Sequence, residues 1–163
     1  MAEPRTTRDP HVNEDRTRRS RPPPPRFGGA GAGDYPMPME IVGLGVDICE
    51  IERMERALDR HPTMRERVFT PEERSYCDAR ARPAESYAGR FAAREAVIKS
   101  LGGYRAKRWQ DISVTRAPSG APGIRLEGNA KVRADALGID RILITFTHER
   151  SHAVAFAIAV TGG

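Results

Sequence analysis

The sequence predicts an α+β domain, with helices packed on a mainly antiparallel sheet. Three observations carry this. Apolar patterning along the chain runs strand, three helices, two strands, helix, two strands. The last two strands, near 142–147 and 153–160, are joined only by the polar link His148-Glu149-Arg150-Ser151, which reads as an antiparallel hairpin. The chain has 163 residues, room for one ordinary domain and too few for a two-domain dehydrogenase, a full TIM barrel or a multi-repeat solenoid.

Each element has a local reason. Ile41-Val42-Gly43-Leu44-Gly45-Val46 is a short apolar run with glycines and reads as a buried strand. Ile51, Met54 and Leu58 recur at helical spacing, and Pro62 ends that helix. Thr70-Pro71-Glu72-Glu73 is a capping box with proline at the first helical position, and it opens a short helix toward Arg80. A longer helix covers 84–101, with Tyr87, Phe91, Ile98 and Leu101 on one stripe and Gly102-Gly103 as its stop. Ile112 and Val114 alternate with polar residues before the turn Pro118-Ser119-Gly120, and Ile124-Arg125-Leu126 is a second short strand. Asn129 can cap a small helix over 130–137, which Gly138 ends.

Composition changes sharply near Met39. Residues 1–38 hold 8 of the 13 prolines, seven arginines and a Gly/Ala stretch, with almost nothing apolar. Such a segment buries too little surface to offset its ordering entropy, so it is expected to be a disordered extension, with residues 39–163 forming the domain. An arginine-rich arm can bind nucleic acid. This one also carries five acids and no interleaved aromatic pattern, so a passive tail is the simpler reading.

The whole chain carries a net charge of +5, which favours anionic partners: nucleic acid, phosphorylated ligands or an acidic protein. No apolar run is long enough to span a bilayer, the start has no signal-peptide core, and no membrane partner is expected. The two cysteines, Cys49 and Cys77, have no CxxC spacing, read as helix residues, and fit a reducing, cytoplasmic setting.

Several residues are candidates for chemistry. Asp47 follows the first strand, where a carboxylate can meet a hard cation or cap the next helix. Glu95 and Lys99 are four apart on the long helix and share a face beside the small residues Ala88 and Ala92. They could hold Mg²⁺ and a phosphate, or simply pair with each other. His148, at the hairpin, could reach a phosphate or a reacting hydroxyl, or satisfy the turn. Trp109 could stack on a nucleobase or anchor the core.

Taken together, these residues resemble a known family. Gly43-Leu44-Gly45-Val46-Asp47, with Ile51 and Arg53 downstream, is similar to the first signature of the holo-acyl-carrier-protein synthases, the short 4′-phosphopantetheinyl transferases. Phe69-Thr70-Pro71-Glu72-Glu73 resembles their second block. The segment from Arg90-Phe91 through Glu95-Ala96 to Lys99 resembles their most diagnostic motif, Arg-Phe-x-x-Lys-Glu-Ala-x-x-Lys. Trp109-x-Asp111-Ile112 and Thr147-His148-Glu149 match the remaining blocks in order, so the resemblance covers about residues 39–160.

The resemblance implies the 4′-phosphopantetheinyl transferase fold. It implies transfer of the phosphopantetheine arm of coenzyme A to a serine of an acyl carrier protein from fatty-acid or polyketide synthesis, with release of adenosine 3′,5′-bisphosphate. It implies Mg²⁺ held by Asp47 and Glu95, with Lys99 on the coenzyme A phosphates. Arg90 and His148 would hold the nucleotide end, and Glu95, Lys99 and His148 would form the catalytic set. The serine proton would leave to Glu95 or to a metal-bound water. Arg53 and Arg56 would meet the acidic carrier, and the assembly would be a homotrimer with sites between subunits. Nucleic acid is then not an expected partner. Two departures stand out: Arg94 replaces the family's usual lysine, and Thr147 its usual serine. They leave open a second reading, a relative that binds coenzyme A and transfers nothing.

Overall fold

The computed structural model describes residues 39–162. The expectation for 1–38 falls on residues outside that range. The described elements are β1 (Glu40–Glu50), α1 (Ile51–Arg60), α2 (Met64–Val68), α3 (Pro71–Asp78), α4 (Pro83–Ser100), β2 (Ile112–Arg116), β3 (Pro122–Leu126), α5 (Gly128–Ala136), β4 (Arg141–His148) and β5 (His152–Thr161). A single 3₁₀ turn, Trp109–Asp111, precedes β2. The α+β expectation holds, and every strand pair is antiparallel. β1, β5 and β4 form one sheet in that order, and β2 and β3 form a separate hairpin.

Small residues decide how α4 meets the sheet. Gly43, Gly45 and Asp47 of β1 pair with Ala159, Ala157 and Ala155 of β5, so all face the same side. Ile142, Ile144 and Phe146 of β4 continue that face. α4 lies on it with Ala92, Ala93 and Ala96 fully buried. A Cβ on Gly43 would sit 2.0 Å from the carbonyl oxygen of Ser100. Only glycine lets the backbones approach this closely. A second cluster packs Ile51, Met54 and Leu58 of α1 with Phe69, Cys77 and Tyr87. Burying each large apolar side chain contributes about 1.5–3 kcal/mol.

Four local expectations are corrected. The strand does not stop before Asp47: it runs to Glu50, so Asp47 and Cys49 are strand residues rather than a loop and a helix residue. The alternation that includes Ile48 continues pairing with β5 as far as His152. The strand is also not buried on both faces. Leu44, Val46 and Ile48 point away from α4 and are each more than half exposed. α4 has no single apolar stripe, because the sheet covers one side and α1, α3 and β2 pack around the others. Finally, Asn129 does not cap α5. The Asp111 carboxylate does so, accepting from the Asn129 N–H at 3.1 Å. The capping box at Thr70 is present as read, with Glu73 accepting from the Thr70 N–H at 3.0 Å.

Candidate active site

β1 and α4 together build the centre. The close approach at Gly43 and Gly45 brings the C-terminal half of α4 over the end of β1. There the Lys99 ammonium donates to Asp47 Oδ1 and to the Val46 carbonyl, each at 2.8 Å. The helix-cap alternative for Asp47 is excluded, since Glu50 is the residue preceding α1 and makes no side-chain cap bond. Nor do Glu95 and Lys99 form a mere helical pair, because Lys99 turns across to β1. Asp47 and Glu95 line one groove of about 430 Å³, together with Cys49, Arg53, Met54, Met64 and Phe91.

The electrostatics of this groove are unbalanced. Glu95 is held above the usual carboxylate range, first by partial burial and then by the Asp47 charge, with Lys99 opposing. Two carboxylates face one ammonium. That surplus negative charge fits a divalent cation. Mg²⁺ takes one or two protein carboxylates and fills its remaining positions with water and phosphate oxygens. Among the described residues no cluster of three His, Cys, Asp or Glu offers a fuller ligand set. Cys49 is no nucleophile, since burial pushes its thiol up to about 11.

Arg90 lies elsewhere. It lines a separate cavity of about 270 Å³ with Tyr76, Ser113, Thr115, Arg116 and Arg125. Three guanidiniums gather on the Tyr76 ring: Arg80 and Arg90 at 4.1 Å and Arg116 at 4.6 Å. Arg90 donates to the Ser86 carbonyl at 3.3 Å, but its buried Nε has no partner. Glu72 and Glu73 also line this cavity, but neither pairs with Arg90, and a buried guanidinium with no carboxylate bonded to it is a natural anion seat. His148 is also apart from Asp47 and Glu95. Its ring stands 4.0 Å from Glu85, and Glu85 is ten residues before Glu95, about 15 Å along the helix axis. Within one chain, then, Asp47, Glu95 and Lys99 come together, and Arg90 and His148 do not join them.

Of the two arginines expected to meet a carrier, Arg53 is exposed at the rim of the carboxylate groove. Arg56 is drawn to Glu50 and Glu52 on its own side of the helix. Trp109 stacks on Phe91 with ring centres 5.5 Å apart and packs with the second cluster, so it anchors rather than waits for a base.

Sequence reasoning missed the pairing of Glu73 with Arg94. Both are buried, and the carboxylate also accepts from the Val114 N–H at 2.9 Å. Burial pushes the Arg94 guanidinium down from its usual value, and the Glu73 charge opposes this. The only sequence signal was Arg94, a charge beside Ala92, Ala93 and Ala96, since Glu73 lies among other polar residues. Tyr76 and Arg116 were missed as well, because nothing in their local spacing announces a shared cavity.

Known proteins resemble this chain in sequence and in fold. The sequence pattern described as "4′-phosphopantetheinyl transferase superfamily" matches residues 43–157. A holo-acyl-carrier-protein synthase of Moorella thermoacetica is 47% identical over 119 residues, covering 72% of this chain and 93% of that one. A crystal structure of a holo-ACP synthase from Plasmodium yoelii superposes with a TM-score of 0.69 at 28% identity, covering 77% of this chain and 99% of that one. The Helicobacter pylori holo-acyl-carrier-protein synthase in complex with coenzyme A gives a TM-score of 0.62 at 29% identity, covering 71% and 98%.

Proposed function

The chain belongs to the 4′-phosphopantetheinyl transferase superfamily, and from that premise we propose that Asp47, Glu95 and Lys99 are its reaction centre. The protein is a holo-acyl-carrier-protein synthase. It transfers the 4′-phosphopantetheine group of coenzyme A to a serine of an apo acyl carrier protein and releases adenosine 3′,5′-bisphosphate. The observation that carries the assignment of roles is the meeting of two carboxylates from distant segments with one ammonium, at the wall of a groove.

The serine oxygen attacks the phosphorus that bears the pantetheine arm. The bond from that phosphorus to the bridging oxygen breaks, and the serine proton passes to an acceptor. Glu95 or a water held by the metal would take that role. Lys99 spends two of its N–H groups on Asp47 and Val46 and keeps a third for a diphosphate oxygen. Mg²⁺ held by Asp47 and Glu95 would neutralise the charge that builds on the diphosphate. The Arg90 cavity would seat the 3′-phosphate, with His148 close to the nucleotide end.

Because Arg90 and His148 stand away from the carboxylates within one chain, the complete site needs a second subunit. The exposed apolar face of β1, formed by Leu44, Val46 and Ile48, supports such an assembly, a homotrimer in our reading. Arg53 would steer the acidic carrier onto the groove rim, mainly through on-rate. Both cysteines are unpaired, which suits a reducing cytoplasm. Fatty-acid and polyketide carriers both meet the chemistry.

The test is incubation of the protein with coenzyme A, Mg²⁺ and a panel of apo carriers from both pathways, read by mass spectrometry. At least one carrier should gain one phosphopantetheine, and chelation of the metal should stop it. No mass gain on any carrier would reject the reading.

A further inference from the structure

We infer that Arg94 is a positioning residue that occupies Glu73 and thereby keeps the neighbouring Arg90 guanidinium free to bind an anion. The inference rests on reading the Arg90 cavity as a phosphate seat. Glu73 and Arg90 line the same cavity, and they are 2% and 3% exposed. Two buried arginines therefore compete for one buried carboxylate. Arg94, at 0% exposure, wins it.

The reason is geometric. The Arg94 fork reaches three acceptors at once: Nη2 goes to Glu73 Oε2, Nε to the Trp109 carbonyl at 3.2 Å, and Nη1 to the Arg90 carbonyl at 3.3 Å. Three of the carboxylate's four acceptor sites are then taken. Oε1 takes the Val114 N–H, and Oε2 takes the Thr70 N–H as well as Arg94. Arg90 is left with a carbonyl, an aromatic face and an unpartnered Nε. A buried guanidinium in that state gains most from an incoming anion, since nothing must be displaced first. Remove the Arg94 charge, and Glu73 becomes a buried anion beside a free arginine. The two would pair, and the anion seat would close.

The experiment is calorimetric titration of the full chain with adenosine 3′,5′-bisphosphate, with folding checked by circular dichroism. Arg94→Met should weaken binding at least about tenfold. The double variant Glu73→Gln/Arg94→Met should return to within about threefold of the unmodified protein, because the buried carboxylate that would capture Arg90 is gone. A purely structural Arg94 would leave the double variant as weak as the single one. The inference is overturned if Arg94→Met binds at full strength, or if the double variant is not restored. If Arg94→Met does not fold, the double variant decides alone: binding within that threefold supports the inference, and weaker binding overturns it. Unmodified protein that fails to bind the bisphosphate would instead reject the Arg90 cavity as a phosphate seat, and this inference with it.

Discussion

A β-carbon on Gly45 would stand 1.9 Å from the carbonyl oxygen of Ala96. The glycine is therefore a spacer between β1 and α4, and α4 carries Glu95 and Lys99 over Asp47. Gly45→Ala must push the helix off the strand. Overpacking of this kind costs about 1–3 kcal/mol, or more where the clash is with backbone. The variant should melt several degrees lower. It should also lose transferase activity out of proportion to its unfolding, because displacing positioned groups by about 1 Å can cost about 10²-fold. Steady-state rates on the folded fraction check this. Full activity in Gly45→Ala would contradict the spacer role.

Glu95→Gln should separate activity from stability. Losing the carboxylate removes a charge that the reaction needs, and turnover should fall by about 10²–10³-fold. The same change removes a partly buried carboxylate repelled by Asp47, so the melting temperature near neutral pH should rise. A glutamate whose folded pKa lies above its unfolded one weakens the fold as pH increases through that interval. The substitution should erase that part of the pH dependence. Calorimetric melts across the acid range would reveal it, and an unchanged profile would count against the shift.

Metal-free protein should take up Mg²⁺ less well as pH falls, since protonation of Glu95, whose carboxyl sits above its ordinary value, removes a ligand. In metal-free protein, carboxyl NMR should show Glu95 titrating lower in Asp47→Asn, where the like charge is gone. A Glu95 resonance that does not respond to Asp47→Asn would mean the two carboxylates do not face each other.

The exposed face of β1 gives an assembly prediction. Val46→Lys places a charge at the centre of the apolar surface and should yield single chains by sedimentation, with activity lost along with the assembly. Asp47→Ala and His148→Ala proteins should each be inactive alone. Mixed under conditions that exchange subunits, they should regain activity, because a hybrid assembly can build an intact site from two chains. A mixture that stays inactive despite proven exchange would locate every working group within one chain.

Both thiols should resist alkylation. Burial pushes Cys49 and Cys77 up to about 11, so iodoacetamide at about pH 7.5 should label the native protein far more slowly than the unfolded one. Rapid loss of activity on such treatment would place a reactive thiol in the groove.

The motif spacing alone placed Glu95 and Lys99 on one helix face, and the capping box alone placed α3. The α+β layout followed from the apolar pattern in the same way. Asp47 was found but misplaced, as a loop residue, because alternation over a few residues does not say how far a neighbouring strand will keep pairing. β1 reads as a buried strand from its apolar run, but such a run does not say whether anything in the chain covers its second face.

What the sequence determined by itself was whatever depends on neighbours within a turn or two: helix phase, caps, stops and the identity of the charged groups. The tertiary structure decided which distant charges meet. Lys99 could have paired with Glu95 but reaches Asp47, and Glu73 could have paired with Arg90 but is taken by Arg94. Those choices are made by backbone approach and by competition for a shared buried acceptor. Both act between segments far apart in the chain, where no local periodicity records them.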